Sequence, residues 1–190
     1  MGKLEDAEEV VVTSAAEWRS WLEANAGTST GVWVLMPKDA STTRGDLYAP
    51  LVEEALCFGW IDAVARPGDT HAKLWFAPRS PKSAWAASNK ERVSRLLADG
   101  RMTPAGQALI DAAQANGMWT VLEGPEAGIE PAELTAALDA IPQARATWDA
   151  FSPSARKLAL THIAMARTPG TVTRRIESIV AAAARGERAL

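Results

Sequence analysis

Residues 53–106 read EEALCFGWIDAVARPGDTHAKLWFAPRSPKSAWAASNKERVSRLLADGRMTPAG, which is the densest run of aromatic, glycine, proline and arginine residues in the chain. An apolar helical pattern ends at Gly59 and is followed by two β-rich runs, Trp60–Ala65 and His71–Ala77. The proline and glycine turn ARPGDT overlaps the end of the first run and leads to the second. Two such runs joined by a turn predict a β-hairpin.

The preceding residues predict alternating strands and helices. Val10–Thr13 is β-branched, and Ser14 with Glu17 has the spacing of a capping box that starts a helix. GVWVLM at 31–36 predicts a second strand, and Pro50 is suited to open the next helix. The order β-α-β-α-β-β predicts an α+β fold, with helices on one face of a small mixed or antiparallel sheet.

Helical patterns follow the hairpin. A stripe of apolar residues occurs in Ser83–Ala98: Trp85, Val93, Leu96 and Leu97. Thr103 and Pro104 then have the form of a cap and first residue of another helix. We expect these helices to cover the second face of the sheet.

The chain is predicted to divide into two parts. Residues 120–130, TVLEGPEAGIE, lack periodicity and contain one proline and two glycines, which indicates a linker. Residues 1–119 would form the α+β domain. The pattern of residues 131–190 is helical only, so we expect a small all-helical C-terminal unit.

The central stretch resembles a known family motif in four segments: EALCFGWID at 54–62, F-x-P-R at 76–79, S-x-W-x-x-x-N-x-x-R-V at 83–93 and G-x-M-x-x-A-G at 100–106. This is similar to the central motif of the bacterial YdeI/OmpD-associated family. The resemblance implies a link to bacteriocin or antimicrobial-peptide protection, and it implies no reaction.

The C-terminal residues resemble the same family. The pattern F-x-x-S-x-R-K and a later basic motif are matched at eight positions: Phe151, Ser154, Arg156, Lys157, Thr171, Arg174, Arg175 and Ile176. Four positions depart from the Lys, Arg, Glu and Arg of that pattern: Arg167, Thr168, Gly170 and Val172. The departures remove two basic groups and one acidic group.

Six residues of the central stretch are predicted to border a ligand-binding cleft: Trp60, Asp62, Arg79, Trp85, Asn89 and Arg92. Asp62 follows apolar residues on a strand, where a carboxylate needs hydrogen-bond donors, and Arg79 or Arg92 would supply them. Trp85, Asn89 and Arg92 are spaced to share one helix face.

Such a cleft suits a small anionic or peptidic ligand. The alternative is a buried ion-pair and amide network that holds the hairpin to the helix without binding anything.

Composition indicates a soluble globular protein. The chain has 190 residues, 47% of them hydrophobic, and a formal net charge of −3. Residues 66–101 hold eight Lys/Arg against three Asp/Glu, and residues 156–190 hold seven against two, so two basic zones lie in an acidic chain. Such zones can mark a surface for phosphate groups or acidic partners, although solvated helix faces produce them more often.

No stretch is long and apolar enough to cross a membrane, and the acidic start MGKLEDAEEV is unlike a signal peptide. The lone cysteine, Cys57, excludes an internal disulfide and fits a reducing compartment. We therefore expect a cytoplasmic protein without membrane insertion. With two histidines, neither a metal site nor another cofactor is expected.

Three functions remain open. The first is a non-catalytic binding or stress-response role, which the family resemblance favours. The second is an enzyme of unknown reaction that uses Asp62 with Arg79 or Arg92. The third is a nucleic-acid-binding protein, against which the sequence pI of about 5.5 argues. A nucleophilic Cys57 with His71 and Asp62 is disfavoured, because a lone cysteine in an apolar stripe is usually a buried hydrophobe.

Overall fold

A computed structural model describes residues 7–37, 44–68 and 70–188. The chain divides into two compact units: the first is Met1–Ser83 with Ser88–Asn116, and the second is Ala84–Ala87 with Gly117–Leu190. Within the described ranges, no helix is long and apolar enough to span a membrane. Position 69 of the predicted turn and the first six residues lie outside the described ranges.

The first unit contains a mixed four-stranded sheet and helices. Its elements are β1 (Glu9–Val11), α1 (Ala15–Asn25), β2 (Val32–Pro37), α2 (Arg44–Cys57), β3 (Trp60–Arg66), β4 (His71–Pro78), α3 (Ala87–Ala98) and α4 (Pro104–Ala115). The strand order is β1-β2-β4-β3. β1 pairs with β2 in parallel, and the other pairs are antiparallel. The predicted α+β order is confirmed, including the hairpin of β3 and β4.

One face of the sheet packs against α1. Phe76 of β4 lies opposite Val32 of β2 and is fully buried. The ring of Trp18 from α1 lies 5.1 Å from that of Phe76, and its indole nitrogen donates to the carbonyl oxygen of Leu51 at 3.1 Å. α1 is thereby held against both the sheet and α2.

Local capping positions α1 as predicted. Ser14 is the N-cap, and its hydroxyl accepts a hydrogen bond from the amide of Glu17 at 3.2 Å. The Glu17 carboxylate accepts in turn from the amide of Thr13 at 2.8 Å. The first bond satisfies a backbone donor that the helix leaves without an internal acceptor. The bond from the Thr13 amide is the main reason that the pKa of Glu17 is lowered.

Two sequence predictions about the helices are wrong. α2 begins at Arg44, so Pro50 lies inside the helix instead of opening it. A proline there contributes no backbone N–H, and the helix has one internal hydrogen bond fewer. α3 and α4 bond to α2, through Arg95 to Glu53 and through Thr103 to Cys57, and so extend the helical layer instead of covering the second sheet face.

The contact between α4 and the end of α2 depends on a glycine. A Cβ atom added at Gly106 would overlap the carbonyl oxygen of Cys57 and lie 2.8 Å from that of Leu56. The hydroxyl of Thr103, the N-cap of α4, donates to the same Cys57 oxygen at 2.6 Å. A side chain at position 106 would therefore separate the two helices.

The second unit is helical in the ranges described. It contains α5 (Glu123–Glu126), α6 (Ala132–Asp139), α7 (Pro142–Asp149), α8 (Pro153–Ala164) and α9 (Pro169–Ala184). The all-helical C-terminal part is confirmed. The segment 120–130, predicted as a linker, contains α5, which packs against α8 within this unit.

The core of the second unit is centred on Trp148. This side chain is fully buried in a cluster of apolar residues from α6, α7, α8 and α9. Its indole nitrogen donates to Glu130 at 2.7 Å, and Arg145 binds both oxygens of the same carboxylate, at 2.8 and 2.9 Å. Hydrogen bonds from Arg145 are the main reason that the pKa of Glu130 lies below its ordinary value.

Gly106→Ala should destabilise the first unit, because the added methyl group has no space against α2. We expect the free energy of unfolding to fall by about 1–3 kcal/mol, the usual cost of overpacking. Urea titration followed by tryptophan fluorescence measures this. Gly27→Ala is the control in the same unit, because no described atom lies within 4 Å of its added Cβ. Equal stability of the two variants would contradict the close contact.

Glu130→Gln should weaken the second unit in a pH-dependent manner. The lowered pKa means that the ionised carboxylate stabilises the fold above its unfolded-state pKa of about 4.3, and this contribution is lost as pH falls through the folded pKa. We expect a loss of about 1–3 kcal/mol at pH 7 and a flatter decline of stability below pH 4.5. Denaturation at several pH values tests this. Glu133→Gln, at an exposed position on α6, should change neither quantity.

Candidate functional site

Trp60 is a core residue. It is 1% exposed, and its indole nitrogen donates to the carbonyl oxygen of Ala26 at 3.3 Å. Its ring meets that of Trp21 edge to face at 5.8 Å. The residue therefore contributes to packing between β3 and α1 and presents almost no surface to a ligand.

Asp62 bonds to a tyrosine and not to an arginine. Its carboxylate accepts a hydrogen bond from the hydroxyl of Tyr48 on α2 at 2.8 Å. Among the described residues, neither Arg79 nor Arg92 forms a salt bridge with it, so the predicted ion pair is wrong. β3 is an edge strand with a register irregularity between Asp62 and Val64, and the half-buried carboxylate faces α2.

The strand register explains why Arg79 does not reach Asp62. The amide of Arg79 donates to the carbonyl oxygen of Gly59 at 2.9 Å, whereas Asp62 lies opposite Phe76. The two positions are therefore separated by three residues along the strand, about 10 Å. Arg79 is 7% exposed, and this burial lowers its pKa to about 10.

Asn89 and Arg92 are brought together on α3 as predicted. The guanidinium of Arg92 donates to the amide oxygen of Asn89 at 3.0 Å, and both side chains are half-buried. Trp85 does not share their helix face, because α3 begins only at Ala87. The ligand-binding role of the six-residue cleft stays a prediction.

Trp85 is assigned to the second unit. It is 3% exposed, its amide donates to the carbonyl oxygen of Met118 at 3.0 Å, and its ring lies 5.1 Å from that of Trp119. An indole with so little exposed surface is not a platform for an incoming ligand.

A buried carboxylate in the same stretch, Glu54, was not predicted. Glu54 is 5% exposed and bonds to Arg19 of α1 at 2.8 Å and to Arg101 at 2.5 Å. Arg101 also lies 3.6 Å from Glu53. The signal was present as a Glu pair in an apolar helix, because a glutamate on a buried helix face requires cationic partners.

Cys57 lies one helical turn after Glu54 and is fully buried. Burial, and next the negative charge of Glu54, raise the pKa of its thiol. Because the thiolate is the reactive form, this environment opposes a nucleophilic role. The end of α2 is thus a structural junction between α1, α2 and α4.

The basic zone at residues 66–101 is largely engaged by other residues of the first unit. The Arg66 guanidinium lies 4.9 Å from the centre of the Trp33 ring. Lys73 and Arg95 bond to carboxylates, Glu9 at 2.5 Å and Glu53 at 3.0 Å. Cations that already have partners leave less positive charge for a nucleic-acid backbone.

Two of the concavities in the structure lie among the described residues of the second unit. The first, here called the α6/α9 groove, has a volume of about 700 Å³ and lies between α6 and the start of α9. Its lining consists of small and apolar side chains with three charged ones: Glu133, Ala137, Ala166, Arg167, Thr168, Pro169, Val172, Thr173, Ile176 and Glu177.

The second concavity, here called the α5/α8 pocket, has a volume of about 460 Å³. It is lined by the segment that follows Pro125, by Glu130 and Trp148, and by the first turns of α8, including Ser154 and Arg156. Neither concavity was predicted, because each one is created by packing between helices distant in sequence.

Glu54→Gln should destabilise the first unit, because it removes the charge that Arg19 and Arg101 share. Breaking a buried ion pair on one side costs about 3 kcal/mol, and we expect a loss near that value in urea titration. The control is Glu23→Gln, which removes the exposed partner of the same Arg19 and should cost about 0.5 kcal/mol or less. Similar losses in both variants would mean that Glu54 is an ordinary surface carboxylate.

Comparison with protein families divides the chain at nearly the same place as the structure. Residues 10–109 match the family model of a domain of unknown function (DUF8412). Residues 128–186 match the model described as bacteriocin-protection, YdeI or OmpD-associated, which confirms the resemblance for the C-terminal part. No curated protein and no solved structure matches the chain.

The central stretch that suggested the resemblance thus lies within the first match, and the C-terminal motif lies within the second. The first match covers more than half of the sequence. The chain therefore belongs to the family of the domain of unknown function (DUF8412), and its helical unit matches the YdeI/OmpD-associated model.

Proposed function

We propose that this protein is a non-catalytic binding protein that takes part in protection against bacteriocins or antimicrobial peptides, and that its α6/α9 groove captures a cationic amphipathic peptide. The match of residues 128–186 to the bacteriocin-protection model carries the proposal, because the whole groove lies within it. The proposed location is the cytoplasm, which agrees with a single cysteine and no disulfide.

The floor of the groove suits the apolar side of such a peptide. Ala137, Val172 and Ile176 line it and also pack against the core of the second unit. A volume of about 700 Å³ is large enough for a few apolar side chains. Burial of these side chains would supply the main part of the binding free energy.

The charged residues of the groove suit the cationic side of the peptide. Glu133 and Glu177 are exposed, and neither has a side-chain partner among the residues that the structure describes. Arg167 also lines the groove, so its lining carries a net charge of −1. Unpaired carboxylates beside an apolar floor attract lysine and arginine side chains from solution.

The positions at which this sequence departs from the family pattern also favour a cationic ligand. Thr168 and Val172, which stand where that pattern has arginines, both line the groove. Two arginines there would make the lining positive and would repel a cationic peptide. The substitutions in this chain therefore favour the proposed ligand.

Charge reversal of the carboxylates tests the groove. We expect Glu133→Lys with Glu177→Lys to weaken binding of a synthetic cationic amphipathic peptide at least about tenfold, because two attractions become repulsions. Isothermal titration calorimetry at low and high salt measures this. The control, Glu91→Lys with Asp99→Lys, makes the same charge change at exposed positions of the first unit and should bind like the wild type.

Cells that express each variant are then challenged with the peptide. Loss of protection with the groove variant and full protection with the control would support the proposal. Arg92→Ala is compared in the same assay, because the predicted cleft of the first unit includes Arg92. Protection that is lost with Arg92→Ala and kept with the groove variant would move the working surface to α3 and would contradict the groove proposal.

A further inference from the structure

The α5/α8 pocket has the dimensions of a small-molecule site. Its volume of about 460 Å³ lies within the range of about 300–1,000 Å³ that is usual for such sites. Pro125, Ala127, Pro153 and Leu160 supply apolar parts of its wall. Its polar groups come from four charged residues and one serine, and their pairing determines what the pocket can bind.

Both carboxylates of the pocket are already bonded. Glu126 accepts from the amine of Lys157 and from the amide of Ala87, each at 3.1 Å. Glu130 is held by two nitrogens of Arg145 and by the indole of Trp148. Neither carboxylate is therefore available as the main partner of a cationic ligand.

Arg156 is the exception among the charged residues of this pocket. Its side chain is half-buried, and within the described ranges it has neither an ion-pair partner nor a side-chain hydrogen bond. A guanidinium has five N–H donors in one plane and remains charged at every physiological pH. The pocket consequently contains one positive charge that the protein does not compensate.

Further donors lie near Arg156. The hydroxyl of Ser154 lines the pocket and shares a hydrogen bond with that of Ser152 at 3.0 Å. Lys157 uses one of its three donors for Glu126. The amide of Ser154 belongs to the first turn of α8, where the helix itself offers no acceptor.

We propose that the α5/α8 pocket binds a small monoanionic carboxylate with a short apolar tail, whose carboxylate pairs with Arg156 while its tail contacts the apolar wall. A planar carboxylate matches the two parallel N–H groups of a guanidinium. Inorganic phosphate has no apolar part that could contact the wall, so it would use only part of the pocket. This inference is independent of the proposed peptide capture.

The test uses butyrate, its neutral isostere butyramide, and inorganic phosphate, each titrated into ¹⁵N-labelled full-length protein. Amide shifts of Gly128, Ser154 and Ala155 and the indole N–H of Trp148 report binding by NMR. We expect saturable shifts with butyrate at concentrations at which butyramide and phosphate give none. Equal responses to butyrate and butyramide, a stronger response to phosphate, or no response to butyrate would each overturn the proposal.

Variants of Arg156 test whether its guanidinium binds the carboxylate of the ligand. Arg156→Gln should weaken butyrate binding at least about tenfold, the usual effect of losing a hydrogen bond to a charged group, whereas Arg156→Lys should retain part of it. Arg188→Gln removes an exposed arginine without a side-chain partner among the described residues and should bind like the wild type. Undiminished binding by a folded Arg156→Gln variant would overturn the assignment.

Discussion

The first unit depends on the burial of one carboxylate between two arginines from other parts of the chain. Glu54 comes from α2, Arg19 from α1 and Arg101 from the segment before α4. A carboxylate 5% exposed would be costly if either cation were absent, so the three segments must assemble together. The direct contact of Gly106 with the end of α2 then becomes possible, because the network brings α4 close.

This network changes how the motif residues of the central stretch are understood. Glu54 and Gly106 belong to the motif, both take part in joining helices, and neither of them lines the concavities described in the second unit. A long and recognisable motif therefore reflects a packing requirement at least as much as a ligand. The surfaces that combine open volume with unbalanced charge occur in a less distinctive part of the sequence.

Much of the fold could be predicted because its signals are local. The capping box at Ser14, the hairpin turn and the helical periodicity of residues 131–190 depend on neighbouring residues. The partner of Asp62 was not predictable, because Tyr48 reaches it only after α2 packs beside β3. Trp85 was misplaced for the same reason, since its backbone partner, Met118, is distant in sequence.

In the candidate site, the Asn89–Arg92 pair was predictable from helical spacing, whereas neither concavity was predictable. Their linings combine α6 with α9, or α5 with α8, and helix pairing cannot be read from periodicity alone. Whether a charged side chain has a partner likewise depends on how the helices pack. Arg156 and Lys157 are adjacent in sequence, yet one of them has a carboxylate partner and the other has none in the described ranges.

The burial of Cys57 makes the single thiol of this protein a reporter of local opening. Its sulfur lies where α2 meets α4, and the raised thiol pKa slows alkylation further. A reagent can modify it only when that junction separates or the unit unfolds. The rate of thiol labelling in the native protein therefore measures how often the helical layer opens, at a point where no probe needs to be introduced.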